Sequence, residues 1–159
     1  MPPSRTLGCM RGLAVLAALA GPWGACVSHP AVAAQLPDLA ILTLQTPSAF
    51  TNGPNPVITV QWGVTNQGGP VPSNSYWLDT FYISTNDLLD ATATALGSWG
   101  WSADWLDTGS YGQTQMLDLG VTNSGTWYLH LKTDVNNEIA ESYETNNVAT
   151  VRLVATILP

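Results

Sequence analysis

Two cysteines in 159 residues, Cys9 and Cys26, both fall in the first 26 positions. Any chain that loses its N-terminal leader loses both, so no disulfide staples the rest. Basic residues are almost as scarce. Only Arg5, Arg11, Lys132 and Arg152 carry positive charge, against eleven acids. The region from residue 35 onward keeps Lys132 and Arg152 and all eleven acids, for a net charge of −9. Such a surface repels phosphate backbones and anionic lipid, which excludes nucleic acid and membrane surfaces as natural partners. No run after the leader is long and apolar enough to span a bilayer, so no membrane insertion is expected once the leader is removed. Long helical periodicity is missing too. Gly-rich phosphate loops and zinc-type ligand spacings do not occur. The region from residue 35 has one histidine, His130, and no thiol nucleophile. His130 alternates with an apolar face and reads as an outward surface residue. The acid pairs Asp104/Asp107 and Glu138/Glu141 can be written as a glycosidase pair, but such pairs arise by chance in any acidic loop. No catalytic residue is assigned, and the chain is expected not to be an enzyme.

What is present begins with an address label. Arg5 and Arg11 precede a short apolar core, residues 13–20, which Pro22 and Gly24 break. Ala31-Val32-Ala33-Ala34 then offers the small residues of a cleavage site. The reading is a signal peptide over residues 1–34, with cleavage after Ala34 or, alternatively, Ala33. A competing reading lipidates Cys26, although Trp23 fits that motif poorly. Removing 34 of 159 residues leaves 125, enough for one domain with a single core over residues 35–159. The destination is the periplasm, the cell surface or the extracellular space.

Short β-rich runs separated by turn signals fill this region. Strands are predicted over residues 38–44, 58–64, 76–84, 96–101, 111–119, 127–131 and 148–154. Residues 46–55, rich in Pro, Ser, Asn and Gly, read as a connection. Ile58, Val60, Trp62 and Val64 alternate with Thr59, Gln61, Gly63 and Thr65, the pattern of a half-buried strand. About seven short strands in such a length predict an all-β fold, an antiparallel two-sheet immunoglobulin-like sandwich. Trp62 must then fill the space a disulfide often occupies, and its buried N–H needs a partner. Alternation also places Asp79 on the face of Phe81 and Ile83. Burying an unpaired carboxylate is expensive. A bulge before Phe81 that turns Asp79 outward, or bonds to backbone donors, is the expected resolution; Lys132 or a cation are the other partners weighed. The echo of residues 64–68 in residues 121–125 reads as two turns of similar chemistry, not a duplication.

Residues 134–147 hold four acids and four asparagines between two apolar strands. Two readings compete. Ca²⁺ takes six to eight oxygens, roughly 2.3–2.6 Å away. Asp134, Asn136, Glu138, Glu141 and Glu144 can supply several, and Asp87 and Asp90 can join if their loop reaches the same end. The simpler reading is turn chemistry. Asn136 and Asn137 make the turn, while Glu141, Glu144 or Asn146 bond free backbone N–H groups and hold the connection in shape. No cofactor is otherwise implied. Trp99, Trp101 and Trp105 are the other notable group. Exposed coplanar indoles would form a platform for sugar or protein contact. Buried, they would cover the core at its open edge.

Several of these stretches resemble the CARDB family, the cell-adhesion-related domain found in bacteria. Pro37-Asp38-Leu39 is similar to its opening, and residues 64–68 to the exit of its second strand. Trp77-Leu78-Asp79 with residues 81–84, and Asp90 with Leu96-Gly97-Ser98, resemble its middle. Residues 125–129, then Asp134, Asn136, Glu141, Glu144, Asn146 and Asn147, resemble its last third. The resemblance implies an immunoglobulin-like sandwich on a bacterial exterior, serving adhesion or spacing. Asn86 and Ala93 stand where members often carry acids. The expected function is a secreted, non-catalytic binding or adhesion module that contacts protein or glycan. A carbohydrate-binding module using Trp99, Trp101 and Trp105, and a calcium-stabilised spacer, are the alternatives.

Overall fold

The computed structural model describes residues 35–106 and 109–159, and of Trp105 only the backbone. The leader read over residues 1–34, with Cys9 and Cys26, lies outside the described residues, as does Asp107.

Among the described residues, eight strands form two sheets. In chain order they are β1 (Leu39–Gln45), β2 (Ala49–Asn52), β3 (Val57–Asn66), β4 (Tyr76–Ser84), β5 (Thr94–Ser102), β6 (Ser110–Asp118), β7 (Gly125–Lys132) and β8 (Val148–Ile157). One 3₁₀ turn, Ala103–Leu106, carries the chain from β5 toward β6. The three-stranded sheet runs β1-β3-β6 and the five-stranded sheet β2-β8-β7-β4-β5. This is the expected all-β sandwich, with one strand more than predicted.

The added strand is β2. It lies inside the connection read over residues 46–55 and pairs parallel to β8, from Ala49↔Val154 to Asn52↔Ile157. The sheets are therefore not wholly antiparallel. The pairing also carries β8 out to Ile157, three residues beyond the predicted end. Four residues among Pro and Ser give no periodic signal; only the partner strand, a hundred residues on, makes them a strand.

Alternation decides the core. Ile58, Val60, Trp62 and Val64 of β3 face Trp77, Phe81 and Ile83 of β4 and Leu129 and Leu131 of β7, all buried. Each such side chain contributes about 1.5–3 kcal/mol by leaving water. Trp62 sits edge-on to Phe81, with ring centroids 5.1 Å apart and an angle of 84° between planes. Aromatic bulk, not a disulfide, thus ties the sheets.

Strand direction sorts the loops to two ends. Thr80 pairs with Lys132 and Ser84 with Tyr128, so residues 85–93 leave one end of the sandwich and residues 133–147 the other. The N-terminal segment lies at the second end. Gly69 N–H donates to Leu36 O at 2.8 Å and Gln67 N–H to Asp38 O at 2.7 Å. A Cβ on Gly68 or Gly69 would collide with the backbone of residues 35–38, so the close approach requires glycine.

Candidate functional site

Residues 133–147 form a bonded clasp. Asp134 opens it in the left-handed region, φ 43°, and Asn137 follows at φ 53°. Asn and Asp tolerate that conformation because their short polar side chains bond locally. The buried Asp134 carboxylate accepts the N–H of Glu138 and of Ile139, both at 2.9 Å. Ile139 is itself buried and pins the loop to the core. Burial pushes the Asp134 carboxyl up, with those two backbone bonds opposing the rise.

Glu141 turns inward and reaches across the chain. Its Oε2 accepts the N–H of Leu39, the first residue of β1. Its Oε1 accepts Asn147 Nδ2 at 2.9 Å. Glu144 accepts the N–H of Glu141 at 3.2 Å. Asn146 Nδ2 donates to Asp38 Oδ1 at 2.7 Å, and Ser142 N–H to Pro37 O at 2.8 Å. The acids and amides of this end therefore stitch the start of the domain to its last connection. Burial raises the Glu141 carboxyl to about 7, against its bonds to Leu39 and Asn147.

Contrary to expectation, Asp79 does not turn outward, and no bulge precedes Phe81; the register shift falls after it, where Tyr82 pairs with Ala95. Asp79 is fully buried. Its donors are side chains: Trp62 Nε1 at 3.0 Å, Tyr111 OH at 3.0 Å and Thr133 Oγ1 at 2.6 Å, with Trp101 adding a further bond. Tyr111 OH in turn accepts Trp77 Nε1 at 2.9 Å. Trp62 and Tyr111 belong to the three-stranded sheet, and Asp79 to the other. Desolvation raises the Asp79 carboxyl, while its bonds to Thr133, Trp62 and Tyr111 pull the other way. Burial, then the Asp79 charge, drives the Tyr111 phenol upward, so it stays a donor. Alternation had flagged the buried carboxylate; what it could not show was that donors reach it from the opposite sheet and from beyond the end of β7.

The tryptophans divide differently from the expected platform. Trp101 is 5% exposed and stacks on Tyr111 at 4.0 Å. Trp99 is half-buried and meets Trp62 and Phe81 edge-on, at 5.5 Å each. Both face inward, so no coplanar exposed pair forms. Trp105 has its backbone in the 3₁₀ turn, beside exposed Asp104.

The six acids read as calcium ligands do not converge either. Asp87 and Asp90 ride on residues 85–93, at the end opposite Asp134, Glu138, Glu141 and Glu144. Among the described residues no three His, Cys, Asp or Glu side chains gather to share a metal ion. Asp90 is already engaged: Oδ1 accepts Thr92 N–H at 2.8 Å and Thr92 Oγ1 at 2.6 Å, and Oδ2 accepts Asn86 Nδ2 at 2.8 Å. These bonds, Thr92's first, hold its carboxyl below the usual range.

His130 points away from the core, as read, but is not a surface residue. It is fully buried, with Nδ1 2.8 Å from Thr150 Oγ1. Burial lowers its imidazole, while Asn86, Asp90 and Asp87 of the 85–93 loop favour the charged form. A long loop lying back on a sheet face leaves no mark in strand alternation.

Of the two acid pairs, Asp104/Asp107 lies partly outside the described residues, and Glu138/Glu141 offers no hydrolytic arrangement. Glu138 is exposed and accepts Asn136 Nδ2 at 3.2 Å, whereas Glu141 is turned inward onto Leu39. A cleft of about 290 Å³ lies at the 85–93 end. It is lined by residues 83–85, 92, 94, 96, 119–121 and 127.

The CARDB family profile matches residues 36–151, nearly all of the described fold. The chain belongs to the CARDB family. Among curated proteins none matches it. Among solved structures, the CARDB domain of a Pyrococcus furiosus protein, crystallised in complex with di-metal ions, is 22% identical. It aligns at TM-score 0.55 over 77% of this chain and 96% of that one. The solution structure of that CARDB domain aligns at TM-score 0.55 with 20% identity, over 77% and 98% of the two chains. A β-glucosidase from Listeria innocua in complex with glucose is 12% identical at TM-score 0.47, and this chain covers 17% of it. That likeness carries no argument about activity. The residues that resembled the family's last third are the ones that stitch the start of the domain to its last connection.

Proposed function

We propose that this CARDB domain is an exported, non-catalytic binding or adhesion module of a bacterial cell exterior, contacting protein or glycan. The observation that carries it is family membership over residues 36–151. Three features support it. Residues 1–34 read as a signal peptide. The buried acids Asp79, Asp134 and Glu141 accept bonds that hold the fold, which leaves none of them free as a general acid or base. The net charge of −9 in residues 35–159 disfavours phosphate-rich partners.

The Pyrococcus furiosus relative was crystallised with di-metal ions, which brings the calcium-stabilised spacer back into view. That reading asks for converging acids, and here Asp87 and Asp90 stand at the far end from the rest. We place it second.

The test is a cell-binding assay. Fluorescently labelled protein, residues 35–159, is incubated with whole bacterial cells and with purified envelope. Saturable binding that a glycosidase or protease pretreatment of the cells removes is the expected result. Binding no greater than that of an unrelated sandwich of equal charge would sink the reading.

A further inference from the structure

We infer that the cleft at the 85–93 end of the sandwich is a binding site for a neutral saccharide, with Trp127 and the hydroxyls of Thr85, Thr92 and Thr94 as its contact groups. This rests on the binding-module reading and names the ligand class for it.

The cleft opens where the two sheets part. Its floor is apolar: Leu119 and Val121 from the three-stranded side, 1% and 3% exposed, with Ile83 of β4. Its rim is hydroxylic: Ser84, Thr85, Thr92 and Thr94. Trp127 of β7 completes the wall. The volume, about 290 Å³, is at the lower end for small-molecule sites.

Charge selects the ligand. No charged side chain lines the cleft, although residues 35–159 carry −9. A cation or an anion would be desolvated there without a counter-charge, which is costly. A wholly apolar ligand would strip water from the Thr85 and Thr94 hydroxyls without pairing them. A sugar ring matches both requirements. Its C–H faces suit an indole and aliphatic floor, and its hydroxyl edge suits a Thr/Ser rim.

The rim is ordered before any ligand arrives. Asp90 holds both the N–H and the hydroxyl of Thr92, and Asn86 bonds Asp90, Thr92 and Ser84. Trp127 Nε1 donates to Asn123 O at 3.3 Å, which orients the indole. Gly120 sits at φ 60° with nothing within 4 Å of where a Cβ would stand, so the mouth stays open beside it. Little conformational freedom remains to be lost on binding.

The test is a ¹H–¹⁵N NMR titration of residues 35–159 with glucose, galactose, N-acetylglucosamine and cellobiose, each separately. The expected result is saturable shifts at the Trp127 indole N–H and the backbone N–H of Thr92, Thr94 and Gly120 with at least one sugar. Thr94→Val keeps strand shape and removes one hydroxyl, and should weaken binding about three- to tenfold. Trp127→Phe keeps a ring in the wall and should weaken it further; a dispersed spectrum confirms that each variant folds. No shift with any of the four sugars, shifts confined to another surface, or unchanged affinity in both variants overturns the proposal. The cell-binding assay separates the two readings. If the wild-type protein binds cells but no sugar shifts the cleft, the saccharide site falls and the module stands. If sugars bind the cleft and cells are not bound, the exterior role falls instead.

Discussion

Asp79 and Trp62 join the two sheets through a single buried bond, the indole N–H donating to the carboxylate at 3.0 Å. The pair solves two problems at once. A buried indole needs an acceptor, and a buried carboxylate needs donors. Tyr111, Thr133 and Trp101 bond the same carboxylate. Asp79→Ala would leave the buried donors Trp62, Tyr111, Thr133 and Trp101 without this acceptor and should cost about 3–5 kcal/mol in urea unfolding. Asp79→Asn keeps the shape and one acceptor oxygen, so its loss should be clearly smaller. Equal losses in the two variants would show that the carboxylate's bonds do not matter to the fold.

Glu141 makes a pH-dependent contribution of known sign. Its carboxyl is raised from 4.5 to about 7, so the folded state binds the proton more readily than the unfolded chain. The contribution is fully present below about pH 4.5 and is lost as pH rises through about 7. Glu141→Gln should remove this dependence at small cost. Asn147 Oδ1 is buried without a partner, so a flip of that amide can answer the new Gln amide. Glu141→Ala strands the Leu39 N–H and leaves Asn147 Nδ2 only its 3.4 Å contact with Glu144, and should cost about 2–4 kcal/mol. Chemical denaturation at a series of pH values reads both.

His130 acts in the opposite sense. Its imidazole is lowered from 6.5 by burial, so the unfolded chain takes the proton first. Stability present above about pH 6.5 is lost as pH falls through the folded value. Glu141 and His130 thus offset each other between about pH 4.5 and 6.5. His130→Asn, which keeps a polar atom near Thr150, should unmask the Glu141 profile: the variant gains more stability on acidification than the wild type does. A wild-type profile that the substitution leaves unaltered would contradict the assignment.

Trp101 and Trp99 should read as core residues. Trp101→Ala removes a buried ring stacked on Tyr111 and should cost about 3–5 kcal/mol. Trp99→Ala, half-buried, should cost less. Neither substitution should change sugar shifts at the cleft in any variant that remains folded. Loss of sugar binding on Trp99→Ala with stability intact would restore the platform.

Calcium should not stabilise this chain through the six acids. Occupancy at a site adds RT ln(1 + [L]/Kd) to stability. Thermal unfolding in millimolar calcium and in chelator should therefore give the same midpoint. A rise of several degrees with calcium would mean that Asp87, Asp90 or the late acids find a geometry absent here.

The strands were legible because burial of one sheet face imposes a period of two. The Ile58-to-Val64 alternation and the Trp127-to-Leu131 alternation are direct records of that constraint. The turn chemistry of residues 134–147 was legible for a similar reason, since Asp134 and Asn137 suit left-handed backbone whatever surrounds them. Partners distant in sequence leave no such trace. β2 exists because β8 pairs with it, Asp79 draws donors from the other sheet and from Thr133 beyond β7, and His130 is covered by a loop that folds back. The sequence by itself determined the two-sheet sandwich and the character of its acidic connection, because local period and turn preference are written residue by residue. Only the tertiary structure decided that Glu141 holds Leu39, that Trp99 and Trp101 face inward, and that the cleft lies at the other end, because each depends on which distant segments meet.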